Sequence, residues 1–151
     1  MSAQAVPAPP RRRRRVGWWV TVAVVAVVAV TGVVQIFPLP RTADVAAPPA
    51  DATAEEVVRA YLTAVDAHDC NTAQELTTPS FAPTTESMCH DAASLEVTDL
   101  ETVGTGAVHA GFDVDWRFFA DDGSIPEGGF GWTYYLTRDS DGWRIEDAGN
   151  G

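Results

Sequence analysis

Two cysteines, three histidines and a scatter of carboxylates are the residues of this chain with types suited to chemistry. Cys70 and Cys89 stand in His68-Asp69-Cys70 and Cys89-His90-Asp91, which together offer the two thiolates and two imidazoles of a tetrahedral zinc site. Cys89 and His90 are neighbours, however, and neighbours diverge on a helix; the usual Cys-x-x-Cys spacing is also missing. A Cys70–Cys89 disulfide is therefore expected, closing a loop worth about 3 kcal/mol, and no metal or other cofactor. His68, His90 and His109 lack an adjacent nucleophile motif and read as surface residues. Ser80, Ser87 and Ser124 lack the Gly-x-Ser-x-Gly turn that exposes a reactive serine. Asp139-Ser140-Asp141-Gly142 begins like a calcium loop, but Trp143 takes the next ligand position and no glutamate follows at the required distance, so a hairpin turn is expected.

Alternation in the C-terminal half sorts the remaining candidates. Val108, Ala110, Phe112, Val114, Trp116 and Phe118 share one face of a strand, and His109, Asp113, Asp115 and Arg117 the other. Phe130, Trp132, Tyr134 and Leu136 share a face of the next run, Trp143 and Ile145 of the last. The inward set has rings and a phenol but no carboxylate, so no catalytic residue is assigned, and Asp113 and Asp115 read as solvated. If a small molecule binds it should be apolar, lined by Tyr61, Phe112, Trp116, Phe130, Trp132 and Tyr134, with the Tyr134 hydroxyl as polar handle. One strand breaks phase: Leu95 and Val97 have one parity and Leu100 the other, which places a bulge near Asp99. A similar bulge in the next strand would turn Asp113 or Asp115 inward and supply a base.

The elements that must position these residues begin with a sharp charge division. Net charge is -11, yet Arg11, Arg12, Arg13, Arg14, Arg15 and Arg41 are six of the ten basic residues, and no acid precedes Asp44. From residue 42 onward four basic residues face twenty-one acidic ones, a net of -17. Such a segment repels phosphate, and nucleic acid is not an expected partner. Residues 16–37 carry no charge and as a helix would span about 33 Å, enough for a hydrocarbon layer about 30 Å thick. The arginine run abuts the N-terminal end, which the positive-inside rule keeps cytoplasmic, and Trp18 and Trp19 fall where an aromatic belt belongs. A single-pass anchor in the cell membrane is expected, with the acidic part outside, where disulfides form. The rival is a cleaved signal peptide, for which the run is long and the nearest small-residue site, around residues 45–47, lies far beyond it.

Four divisions follow: a cytoplasmic tail over 1–15, a span over 16–37, a Pro/Ala-rich linker over 38–52 that is extended and lifts the domain off the surface, and a domain over 53–149. Thr53-x-x-Glu56 is a capping box, Ala52 and Val57 suit a staple, and Val57, Val58, Tyr61, Leu62 and Val65 share a helical face, so a helix runs to about His68. A shorter helix fits residues 71–78, with Asn71 and Gln74 as capping pair and Pro79 as stop, and a helical turn fits 85–91. Strands follow over 95–103, 108–120, 129–137 and 143–147, separated by turn residues. Helices first and consecutive strands after them give an α+β domain with a four-stranded antiparallel meander.

The opening AEEVVRAYLTAVDAHD, the short helix ending LTTPSF and the closing RDSDGWRIED resemble the nuclear transport factor 2-like (SnoaL-like) superfamily. The resemblance covers about residues 53–149. It implies a cystatin-like cone, a curved sheet wrapped around a long helix, and a family whose members include isomerases and cyclases as well as dimerising and ligand-binding accessory domains. An isomerase or cyclase would need a carboxylate base and a donor facing the apolar interior. Without that carboxylate, the expectation is a non-catalytic envelope module that binds a protein or a small apolar ligand. A homodimer formed through the sheet is the third reading, and a broad exposed aromatic patch would favour it.

Overall fold

The structure, a computed structural model, describes residues 40–117 and 128–149. Among the described residues no helix is long and apolar enough to cross a membrane. The expected span over 16–37, the inward Phe118 and the end of the second strand lie outside them.

The domain is α+β. Helix α1 (Ala54–Asp66) starts as its sequence requires: the Thr53 hydroxyl accepts from Glu56 N at 3.2 Å, and Glu56 Oε2 accepts from Thr53 N at 2.7 Å. Its apolar stripe, Val57, Val58, Tyr61, Leu62 and Val65, is buried. The helix ends on a Schellman motif, with Asp69 N donating to Ala64 O and His68 N to Val65 O, at 2.8 and 3.0 Å. That motif puts its C′ residue in the left-handed region, and here the residue is His68, at φ 54°. His68 is therefore a buried corner residue and not the surface residue expected, although it carries no catalytic geometry.

Helix α2 is Cys70–Glu75, shorter than the expected 71–78. Its cap is Asp69, which accepts from Thr72 N at 3.3 Å; Asn71 is displaced from that role because a carboxylate two residues earlier already fills it. Helix α3, Ala82–Asp91, has Pro83 in its first turn and runs directly into the sheet. The strands β1 (Ala92–Gly104), β2 (Ala107–Trp116), β3 (Gly128–Asp139) and β4 (Gly142–Gly149) pair antiparallel in chain order, as a meander. At the β1–β2 turn Gly106 is required, because at φ 69° a Cβ would stand 2.6 Å from Leu136 O.

The phase break in the first strand is real. Register shifts fall between Ala92 and Ser94, Val97 and Asp99, and Thr102 and Gly104 of β1, and one more falls opposite Tyr135–Leu136 in β4. Three extra residues in one strand bend it, and the curved sheet lays Val108, Ala110, Phe112, Val114, Tyr134, Leu136 and Ile145 in the same core as the α1 stripe. Strand β2 itself pairs with β3 without a shift. The bulge that would have turned Asp113 or Asp115 inward is absent from the described part of β2, and both side chains are exposed.

The segment over 40–52 forms no helix or strand and turns at residues 50–51, where Ala52 N donates to Pro49 O at 2.9 Å, and it does not stand off the domain. Thr42 N and Oγ1 both donate to Ala67 O, at 2.8 and 3.1 Å, and Val45 N donates to Asp69 Oδ2 at 3.0 Å. Val45 packs on the core and Ala52 is buried in it. Backbone groups that water would satisfy in a free linker are here paired with the end of α1, which makes these residues part of the domain.

Candidate functional site

The inward residues of β2 and β3 form an aromatic ladder. Phe112 meets Phe130 at 4.5 Å between ring centroids and Trp132 at 6.4 Å; Trp132 meets Tyr134 at 6.3 Å, and Tyr134 meets Tyr61 of α1 at 5.8 Å. Most of these contacts are edge-on, the arrangement that aligns positive ring edges with negative faces. Tyr61, Phe112 and Tyr134 are fully buried, whereas Phe130 and Trp132 are half-buried, so the ladder runs from the core outward. Trp116 packs against the same core, half-buried, without joining these ring contacts. Five of the six proposed lining residues are thus brought together, and the sixth sits apart.

Two phenols lie at the inner end. Burial pushes the Tyr61 hydroxyl up to about 12, partly offset by its hydrogen bond with Thr85. Tyr134 is also raised well above the usual phenol range, by burial and by the nearby Tyr61. Both stay neutral donors at any physiological pH. The Tyr134 hydroxyl and Trp116 Nε1 are buried with no partner, an arrangement that costs about 1–3 kcal/mol for each such group unless something fills it. Among the described residues, no carboxylate lines this ladder.

The carboxylates gather elsewhere. An open groove of about 690 Å³ beside the end of α1 is lined by Asp66, Glu96, Asp113 and Asp115 with Ser94 and Val97. Asp66 Oδ1 accepts from Leu95 N at 2.9 Å and Asp115 Oδ2 from Ser94 Oγ at 3.1 Å, so two of the four hold β1 in place. Neither Asp113 nor Asp115 stands against a buried donor, and no ring of the ladder lines the groove.

The other candidates fall into structural roles. Cys70 and Cys89 form the expected disulfide, with Cα atoms 5.7 Å apart. No cluster suited to a metal ion occurs among the described residues. Asp139 accepts from Asp141 N at 2.8 Å and pairs with Arg144 at 3.2 Å, so its carboxylate serves the β3–β4 hairpin turn. His109 lies on the outer sheet face, half-buried and not a fully exposed surface residue as expected, with Nδ1 3.3 Å from the Thr133 hydroxyl.

Sequence reasoning missed Asp69. Its side chain is fully buried, yet it accepts from Val45 N, from Thr72 N and Oγ1, and pairs with Arg41 at 2.6 Å. Burial pushes the carboxyl up, but the donors from Val45, Thr72 and Arg41 outweigh it and hold the group down at about 2. The only sequence trace of this cluster is an Asp-x-x-Thr cap pattern before a short helix.

No protein-family description matches the chain, nor does any curated protein. Several solved structures are similar in outline. A cystatin fold protein from Novosphingobium aromaticivorans is 20% identical over 66% of this chain and 99% of its own, with a TM-score of 0.44. A Pseudomonas putida protein provisionally named a polyketide cyclase is 20% identical over 66% and 92%, with a TM-score of 0.43. A SEC-C motif protein from Rhodopseudomonas palustris is 15% identical over 66% and 82%, also at 0.43. Likenesses this distant assign no activity to the chain.

Proposed function

We propose that this protein is a non-catalytic binding module of nuclear transport factor 2-like type, held at the outer face of a cell membrane by residues 16–37. The observation that carries the non-catalytic reading is the separation of rings from carboxylates. Proton abstraction in an apolar interior needs a base there, and the interior holds phenols kept neutral by burial, while Asp113 and Asp115 are exposed. The half-buried end of the ladder, Phe130 and Trp132, is where an apolar ligand or a partner's apolar side chain would enter, and displacement of the Trp132 ring would bring it to the buried, unpaired Tyr134 hydroxyl as polar handle. Support for the envelope location comes from the uncharged run and its flanking arginines, and from the disulfide.

Crosslinking in intact cells, with a photoreactive group at Trp132, tests this reading. It should capture one partner or one lipid-like molecule, and Tyr134→Phe should weaken the capture. Turnover of any small substrate that is abolished by Asp113→Asn or Asp115→Asn would instead establish the isomerase or cyclase reading. Protease added to spheroplasts should digest the region after Phe37 and spare the arginine run, and recovery of a mature chain starting near Ala46 would show cleavage instead of anchoring. A dimer built on the sheet has less support, because Tyr135 and Val103 are isolated exposed apolar side chains and make no broad patch among the described residues.

A further inference from the structure

The contacts that hold residues 41–45 converge on one corner of the domain. Thr42 reaches Ala67 O, Val45 N and the Arg41 guanidinium reach Asp69, and the Thr72 hydroxyl, which donates to Asp69 Oδ2 at 2.8 Å, lies 3.3 Å from Val45 O. Asp69 is the hub, and its position is fixed from two sides. Behind it is the Schellman end of α1. In front is α2, whose first residue, Cys70, is bonded to Cys89 of α3. A helix of six residues has too few internal bonds to offset its own nucleation, so α2 depends on its cap and on this bond to stay in place. Cys89 is buried, whereas Cys70 is half-buried, which makes Cys70 the more approachable of the pair.

We propose that the Cys70–Cys89 bond is the lock of a strap, and that its reduction releases residues 41–45 from the Asp69 corner while the rest of the domain stays folded. The reductant is a dithiol. Its thiolate attacks Cys70 Sγ, and Cys89 Sγ leaves with the bonding pair and takes a proton. The second thiol of the reductant then attacks its own sulfur in the mixed disulfide, and Cys70 leaves as the other thiol. Two electrons and two protons pass to the chain, and the reductant is left as a disulfide. With Cys70 free, the first turn of α2 frays, Thr72 no longer holds the Asp69 carboxylate, and a buried anion short of donors draws in water in place of Val45 and Arg41.

The test is amide hydrogen exchange on the full-length chain in detergent micelles, before and after reduction with dithiothreitol. Protection at Thr42 and Val45 should fall about tenfold or more while amides of α1, β2 and β3 keep theirs, because opening of this corner is local. Cys70→Ser with Cys89→Ser should reproduce the reduced pattern. Asp69→Asn should loosen the same two amides with the disulfide intact by mass. Strap protection that survives reduction, or is unmoved by Asp69→Asn, overturns the proposal. So does loss of protection throughout the domain on reduction, since the bond would then be a global staple.

Discussion

Two buried polar groups in this domain have opposite fates. Asp69, a charge with no exposed side-chain surface, is held by two donors from Thr72, one from Val45 and an ion pair with Arg41, three of the four on Oδ2. The Tyr134 hydroxyl, neutral and equally buried, has no partner. The difference follows from magnitude. An unpaired buried carboxylate would cost several kcal/mol and would be protonated or flooded, whereas an unpaired hydroxyl costs about 1–3 kcal/mol and survives inside a well-packed aromatic set. The corner around Asp69 is therefore built of polar bonds that specify one arrangement, and the ladder around Tyr134 of ring packing that tolerates a missing bond.

Substitutions should break this contrast in a definite order. The largest effect is expected of Phe112→Ala, which leaves a hole between Phe130 and Trp132 and should lower the urea unfolding free energy by about 4 kcal/mol. Asp69→Asn comes next, at about 2 kcal/mol, because the amide keeps the shape but loses the charge that Arg41 and the backbone donors face. The same site has a pH signature. Its carboxyl is depressed in the folded state, to about 2 from 3.8, so the stability it supplies is present above pH ~4 and is lost as pH falls through about 2. Acid titrations of wild type and Asp69→Asn should converge across that window; parallel curves would mean the ion pair is not made in solution.

Smaller effects refine the comparison. His68→Gly should stabilise the domain by about 1 kcal/mol in thermal melts, since it removes a Cβ from the left-handed position, φ 54°, at the end of α1; a loss of stability would show that packing of the buried imidazole outweighs the backbone cost. Tyr134→Phe should change stability by less than about 1 kcal/mol, in the stabilising direction, as removing an unpaired hydroxyl relieves a desolvation cost. A clear loss of stability in that variant would show that the hydroxyl has a partner in solution, such as an ordered water, and is not free. Last, Asp113→Asn should move stability by about 0.5 kcal/mol or less, as expected of an exposed side chain away from any cap or pair.

How much of this was legible in the sequence depended on the range of the signal. The capping box at Thr53 and Glu56, the α1 stripe and the inward parity of β2 and β3 are written in residues two to four apart, and all three are found in the structure. The bulge expected near Asp99, found between Val97 and Asp99, was visible as a shift of parity, whereas the other two in β1 left no such sign, and the disulfide was visible as two cysteines with nothing else to do. The Asp69 corner was not visible, since its partners Arg41, Thr42 and Val45 lie more than twenty residues away and follow no period. For the same reason the strap looked like a linker: its Ala/Pro composition reports the absence of a helix or strand and is silent on docking. The cap of α2 was misplaced by two residues because Asp69 and Asn71 are both good caps, and burial chose between them.

The two edges of the sheet are finished in different ways. Along β4, Ile145 N donates to Leu76 O at 2.9 Å and Ile145 O accepts from Thr78 N at 2.8 Å, so a stretch of chain already occupies part of that border. Along β1, extra residues interrupt the ladder three times, and Glu96, Asp99 and Glu101 add like charge. A second molecule attempting to lengthen the sheet would find neither a continuous row of donors and acceptors nor a neutral surface. The irregular first strand that curves the sheet around α1 is thus also a poor template for growth of cross-β aggregates from folded molecules.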